Sequence, residues 1–286
     1  MNDIRPSILV GLIGAGIQAS RTPAMHEREG AEQGLSYTYR LIDLEKPGAG
    51  AHALPDLIVN AEREGFAGLN ITYPCKQSVI PLLTELSEDA RALGAVNTVV
   101  LRDGRRMGHN TDWWGFAESF RRDMGGAKLD RVVQLGAGGA GTAVAHAGLT
   151  LGMGRLTIFD TEHGRAEQVA ANLASRFGEG RAVAGTDLPA AMAQADGLIH
   201  ATPTGMVKYP GLPLPVELLR PQLWVAEIVY FPLETELLRT ARQLGCRTLN
   251  GGGMAVFQAV EAFRLFTGIT PDAQRMSRHF ASMGLS

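Results

Sequence analysis

The stretch Val132-Val133-Gln134-Leu135-Gly136-Ala137-Gly138-Gly139-Ala140-Gly141, running on to Asp160, constrains this chain more than any other. An apolar run meets a cluster of glycines. A small-residue segment of helical character follows, and a second apolar run, Leu156-Thr157-Ile158-Phe159, ends on the acid. The order is strand, tight turn, helix, strand. Gly136, Gly138 and Gly141 fill the pattern G-x-G-x-x-G, and Asp160 lies about 20 residues on, where a ribose-binding acid is expected. The first glycine permits the turn, the second lets the backbone approach a pyrophosphate, and the third lets helix pack closely on strand. The helix N-terminus then offers N–H groups and a positive dipole end to the phosphates. A βα turn that binds nothing can carry the same glycines, so the weight rests on the strands and acid around them.

A second cluster competes with it. Ile8 to Gly14 reads as a buried strand, Gly14, Gly16 and Ala19 also fit the pattern, and Tyr37 to Asp43 is a strand-like run ending on an acid. Here Gln18-Ala19-Ser20-Arg21-Thr22-Pro23 intervenes, and the helix is expected near Pro23, a favoured first helical residue. The helix N-terminus is displaced from the glycines, so this site is assigned to something other than a phosphate.

At 286 residues and 45% hydrophobic, the chain has room for two domains. A net charge of −2, with no Lys/Arg block, argues against nucleic acid and anionic membrane as partners. Cys75 and Cys246 form no metal-spaced cluster, so no metal is expected and the thiols read as reduced and cytoplasmic. No apolar run approaches the ~18 residues of a membrane span. Ile8 to Gly16 after Arg5 has the length of a short signal segment but reads equally as a buried strand.

In chain order, helix is expected over Leu54 to Gly65 and strand over Phe66 to Thr72, stopped by Tyr73-Pro74. Lys76 marks the start of the next helix, Glu85 to Leu93 is helical, and Ala95 to Leu101 is a strand. A turn at Asp103-Gly104 follows, and Trp113 to Met124 is helix. Beyond Asp160 come helix Arg165 to Phe177, a weak strand at Ala182-Val183, helix Leu188 to Ala195, and strand Gly197 to Thr202. Pro203-Thr204-Gly205-Met206 is a loop at that strand's C-terminal end, where ligands meet open parallel sheets. Strand Trp224 to Val229, helix Leu233 to Leu244 and strand Arg247 to Leu249 precede a hinge-like turn at Gly251-Gly252-Gly253-Met254. Helix Ala255 to Thr267 and a polar helix follow. The fold class is α/β.

A nicotinamide enzyme acting on an alcohol needs a proton donor and acceptor at the reacting carbon. The glycine-rich half offers none. The N-terminal half offers Lys76 and Asp112, with Asn70, Thr72, Asn97, Asn110 and Thr111 around them; amides and hydroxyls suit a small polyhydroxylated substrate. Taken singly, Lys76 is equally a solvated lysine, and Asp112 before Trp113 equally a helix cap.

Seven ordered motifs resemble the shikimate dehydrogenase family, most closely its quinate/shikimate members. They are Ser20-Arg21-Thr22-Pro23, Asn70 to Lys76, Gly94 to Thr98, Gly108 to Asp112, Gly136 to Gly141, Ala201 to Met206, and Gly251 to Met254 with Gln258. The resemblance implies a substrate domain of residues 1–112 plus 251–286, with a mainly parallel sheet, and a Rossmann-type domain of residues 113–250. The C-terminal helices would pack back on the substrate domain. It implies Lys76 and Asp112 as the catalytic pair, with Asp112 holding the Lys76 ammonium and bonding a ring hydroxyl. Ser20 and Thr22 would bind the substrate carboxylate, with Tyr230 near it, and Asn70, Thr72, Asn97 and Gln258 would meet hydroxyls. The dinucleotide would take Gly136, Ala137, Gly138, Gly139, Ala140, Gly141, Asp160, Arg165, Thr202, Pro203, Val229, Gly253 and Met254. The implied enzyme is cytoplasmic, belongs to the shikimate pathway of aromatic amino acid biosynthesis, and works as monomer or homodimer.

Several departures stand out. Thr22 replaces a serine common in the family and matches the pattern of quinate-accepting members. Phe159-Asp160-Thr161 replaces the Asn-Arg-Thr run of NADP-using members, which points to NAD over NADP; Arg165 is the one residue that could swing to a phosphate. Glu227 stands where an aspartate is usual. Trp113-Trp114 reads either as helix packing or as a substrate-pocket wall, which leaves a substituted shikimate analogue as an alternative substrate. A catalytically weak cofactor-binding regulator is the alternative from another class, and the intact Lys76/Asp112 pair argues against it.

Overall fold

The computed structural model describes residues 6–45 and 50–284. Arg5 and residues 285–286, which entered the signal-segment and domain expectations, lie outside them. The chain divides into two compact units, one of residues up to Thr111 together with Gln258–Gly284, the other Asp112–Phe257.

The first unit runs β1 (Ser7–Gly14), α1 (Thr22–Glu32), β2 (Ser36–Asp43), α2 (Leu54–Arg63), β3 (Gly68–Ile71), β4 (Glu85–Leu86), α3 (Glu88–Leu93), β5 (Thr98–Arg102) and β6 (Arg105–His109). Its sheet has the order β2-β1-β3-β5-β6-β4. β1 pairs in parallel with β2 and β3, while β5 is antiparallel to both β3 and β6. Val10, Ile13, Leu69 and Ile71 are buried on the parallel strands, as sheets covered on both faces require. β5 and β6 form a hairpin through Asp103-Gly104, both at positive φ (52° and 71°), the conformation that a two-residue hairpin turn demands.

The second unit begins with α4 (Asp112–Asp123). It continues β7 (Arg131–Leu135), α5 (Gly139–Thr150), β8 (Arg155–Phe159), α6 (His163–Phe177), β9 (Ala182–Ala184), α7 (Leu188–Gln194), β10 (Gly197–His200), β11 (Trp224–Glu227), α8 (Glu236–Gln243) and β12 (Arg247–Leu249). All five strand pairings are parallel, in the order β12-β11-β10-β7-β8-β9. The order reverses between β7 and β10, so the loops leaving those strands part at the sheet's switch point. α9 (Gly252–Thr267) starts in this unit and ends in the first, where α10 (Ala273–Ser282) follows.

α10 lies against α1: Arg275 grips the buried Glu29 carboxylate through Nε (2.7 Å) and Nη2 (2.6 Å). Behind that pair, His26 of α1 is boxed by Tyr37, Tyr39, Phe263 and Phe266. Burial, partly offset by the Ala259 backbone, lowers the His26 pKa to about 3. An unfolded His26 takes its proton below about pH 6.5, while the folded one stays neutral to about 3. The unfolded state therefore binds the extra proton in that window, and stability falls with acidification by up to about 1.4 kcal/mol per pH unit. His109, lowered by the same cause, adds in the same direction. The Asp43, Glu62 and Asp272 carboxyls, held below their usual range, act only at lower pH. Urea unfolding should thus show a midpoint that drops between pH 7 and 5, with a shallower drop in His26→Leu; an unchanged slope would assign the effect elsewhere.

Three local expectations are corrected. Lys76 does not open a helix: residues 73–79 form successive turns and only a short 3-10 segment, Ile80–Leu82, follows. Helix does not begin at Glu85, because Glu85-Leu86 pairs with Met107-Gly108 of β6 and Ser87 caps α3 by accepting the Ala90 N–H (3.2 Å). Gly252-Gly253-Met254 is no hinge but the first turn of α9. Among the described residues no helix is long and apolar enough to cross a membrane.

Candidate active site

In the first unit the topology gathers polar residues at one sheet edge. β1 and β3 leave the sheet there, and antiparallel β5 enters beside the end of β3. The loop after β1 and the loop after β3 are stitched together: Ala15 N–H donates to Tyr73 O (2.9 Å) and Thr72 N–H to Ile13 O (2.9 Å). Val96 N–H donates to Lys76 O (2.8 Å), which fixes the half-buried Lys76 alongside Asn97. Asn97 accepts from Thr111 N–H (2.8 Å) and donates to Thr111 Oγ1 (3.0 Å). Thr98 Oγ1 links Asn97 to Asn70 (3.0 Å to each). Tyr39, whose hydroxyl burial keeps protonated well above its usual pKa, donates to Asn70 Oδ1 (2.7 Å). The network Tyr39–Asn70–Thr98–Asn97–Thr111 is almost wholly buried. Asn70 has both amide hydrogens engaged, on Asn97 O (3.2 Å) and Thr98 Oγ1, so in this structure it braces the edge. Asn110 likewise holds Ala95 O (3.1 Å).

Ser20 and Thr22 flank the start of α1, half-buried, with Thr22 N–H near Ser20 Oγ (3.4 Å). Asp43 shapes the loop before them, accepting Gly16 N–H (3.1 Å), Glu45 N–H (3.1 Å) and Gln18 Nε2 (2.8 Å). These bonds, the Gln18 amide first, hold its carboxyl below the usual range. α1 opens six residues past Gly16, so this glycine cluster has no helix N-terminus behind it, as the sequence indicates. Asp112 is buried as the first residue of α4, directly after Thr111, and Gln258 lies on α9.

In the second unit the glycine turn is built as its pattern requires. Gly136 has φ 100°, and a Cβ there would stand 2.4 Å from Ala201 O. A Cβ on Gly141 would stand 2.3 Å from Gly136 O, so helix and strand meet only because it is absent. Gly138 caps α5 without a side chain and faces open space, which leaves the first N–H groups of a 12-residue helix available to an anion. Gln134 braces the turn from below, donating to Gly136 O (2.9 Å) and Gly141 O (2.8 Å). Asp160 accepts Ala137 N–H (2.7 Å) and Glu162 N–H (2.9 Å), so its carboxylate is tied to the turn itself. Arg165 is exposed and paired with Glu162 (2.7 Å). The loop after β10 brings Thr202 to the same turn, with Ala201 N–H on Leu135 O (2.7 Å). Pro203 and Tyr230 are exposed, while Val229 and Met254 are buried. Gly253 lies where a Cβ would meet Ser119 Oγ at 2.0 Å.

The turn, the open helix start and the acid fit a nicotinamide dinucleotide, and the comparisons agree with both units. Residues 12–99 match the model described as shikimate dehydrogenase substrate binding domain, and residues 251–278 that described as shikimate 5'-dehydrogenase C-terminal domain. A shikimate dehydrogenase (NADP(+)) of Streptomyces avermitilis is 61% identical over 97% of this chain and 96% of its own length. The chain belongs to the shikimate dehydrogenase family. Its α/β fold in two units and its place among nicotinamide-dependent oxidoreductases follow from that membership. A quinate/shikimate dehydrogenase (NAD(+)) of Corynebacterium glutamicum is 50% identical over 99% of this chain and all of its own. The solved quinate dehydrogenase from Corynebacterium glutamicum in complex with NAD superposes with a TM-score of 0.94, at 48% identity over 97% of this chain and all of that one.

Sequence reading missed Tyr39, Thr98 and Gln134 as parts of these sites. Gln134 did carry a signal, being a polar residue inside an apolar run that forms a central strand.

Proposed function

We propose that this family member is an NAD-dependent dehydrogenase of shikimate, quinate or both. The carrying observation is the polar sheet edge of the first unit, where a loop lysine latched by Val96 stands in a set of buried amides and hydroxyls. Amides and hydroxyls both donate and accept, and braced side chains of this kind give the edge the chemistry that suits a polyhydroxylated ring. The relatives' names supply the ring acids.

When bound, the nicotinamide accepts or supplies the hydride. Gly136 to Gly141, Asp160, Thr202 and Pro203 would hold the dinucleotide. Lys76 delivers a proton to the carbonyl oxygen of 3-dehydroshikimate or 3-dehydroquinate as hydride adds to the carbon, giving the alcohol; in oxidation it takes that proton back. Asp112 is its partner in the proton-transfer pair. Ser20 and Thr22 take the substrate carboxylate, and the extra methyl of Thr22 reshapes that end of the site toward quinate. Asp160 supports NAD, because its carboxylate charge disfavours a 2′-phosphate, and Arg165 is already engaged by Glu162. Trp113 packs edge-on against His146 (5.4 Å) and Trp114 against Phe257 (6.4 Å), contacts that favour helix packing over a substrate-pocket wall.

The test is a steady-state panel of shikimate and quinate against NAD and NADP. Turnover of at least one acid with a higher kcat/KM for NAD is expected. Turnover only with NADP would overturn the cofactor assignment, and none with either acid the substrate assignment.

A further inference from the structure

We propose that the buried pair His200–Glu227 is a positioning device for the dinucleotide. It turns the Thr202 hydroxyl hydrogen inward, so that Thr202 Oγ1 accepts a hydrogen bond from a hydroxyl or carboxamide of the cofactor. This rests on the reading of Thr202 as a cofactor contact.

His200 and Glu227 face each other at the C-terminal ends of the adjacent parallel strands β10 and β11, with no side-chain exposure. His200 Nδ1 stands 2.9 Å from each carboxylate oxygen. The same oxygens accept Val229 N–H (2.9 Å) and the Thr235 hydroxyl (3.1 Å). Thr235 Oγ1 itself accepts Leu238 N–H (3.3 Å) as the cap of α8, which leaves its hydrogen for Glu227. The Glu227 oxygens take donors from every other side and face Nδ1 at 2.9 Å, so the geometry assigns the ring hydrogen to Nδ1. Nε2 is then an acceptor, and its partner is Thr202 Oγ1. Thr202 Oγ1 also accepts Thr204 N–H (3.2 Å). With its hydrogen on His200 and one lone pair on Thr204, the oxygen keeps one lone pair. That lone pair suits a donor and not a phosphate. The position is right for such a contact, because Thr202 Cγ2 would lie 3.1 Å from a Cβ on Gly136, at the turn that cradles the dinucleotide. Neither proton transfer nor the substrate residues involve His200 or Glu227, yet β10 and β11 enclose both at their ends.

The test is a double-mutant cycle read by NADH fluorescence titration. Thr202→Val should raise the NADH Kd about tenfold, the loss of one hydrogen bond together with the mispairing of His200, and Thr202→Ser much less. His200→Phe should raise it by a similar factor alone, but by less than about twofold when Thr202 is already Val. If His200→Phe does not fold, His200→Gln takes its place in the same cycle. A residue of purely structural importance would lower the thermal midpoint and leave the two effects on Kd multiplicative; that result overturns the proposal. An unchanged Kd in Thr202→Val would instead overturn the reading of Thr202 as a cofactor contact.

Discussion

Lys76→Ala is expected to lower kcat by about 10²–10⁴-fold, the usual contribution of a positioned general acid or base, with the KM for the ring acid close to the parent value. The backbone keeps the loop in place in this variant. Lys76 is fixed to the sheet edge through its backbone, by the Val96 N–H on its carbonyl, so removing the side chain leaves the loop latched. Asn70, Asn97 and Thr111 hold one another without it. Lys76→Arg separates charge from proton transfer, because arginine keeps the cation but does not give up its proton. Arginine should therefore recover little of the lost kcat. A loss that appears in KM alone, or one that Arg restores, would make Lys76 a binding residue.

Replacing Asp160 should move cofactor preference toward NADP by about one to three decades. A carboxylate ~4 Å from a phosphate charge repels it by ~1 kcal/mol in water and ~4 kcal/mol at an effective dielectric of 20. Asp160 also fastens Ala137 and Glu162, so Asp160→Ala loosens the turn for either cofactor. Asp160→Asn keeps an acceptor for one of those N–H groups and removes the charge. The quantity to measure is the ratio of kcat/KM for NADP to that for NAD, in which the common loss cancels. If both variants leave the ratio unchanged, discrimination lies elsewhere, with Arg165 the next residue to change. The relatives make the measurement worthwhile, since one named for NADP(+) and one named for NAD(+) both align along nearly the whole chain.

The second unit was legible in the sequence almost strand by strand. Its central strands β7, β10 and β11 are almost wholly buried and so appear as mainly apolar runs, with glycines and caps between them. The first unit was read less well at its far edge. Arg105–His109 carries two arginines and a histidine in five residues, and Glu85-Leu86 is too short for any period to show. Both are strands because a hairpin turn and a neighbouring ladder make them so. Lys76 and Asp112 stand out in the sequence as candidates in runs of small polar residues, and it is the family resemblance that makes them a pair. Asn70 was placed by motif as a substrate contact, and its two bonds to the adjoining strand could not be foreseen, because they depend on the register of β3 with β5. His200 and Glu227 lie 27 residues apart, and only the alignment of β10 with β11 makes them a pair.

The composition of the first unit has a consequence for synthesis on the ribosome. Residues 112–257 are contiguous and can close their sheet as soon as β12 emerges, whereas the earlier-made unit still lacks residues 258–284. Until then Glu29 has no Arg275, and His26 and Tyr37 have no Phe263 to pack on. The half that is translated first is therefore completed last. For that interval it presents an unfinished apolar face, a state in which chaperone capture and aggregation compete with folding.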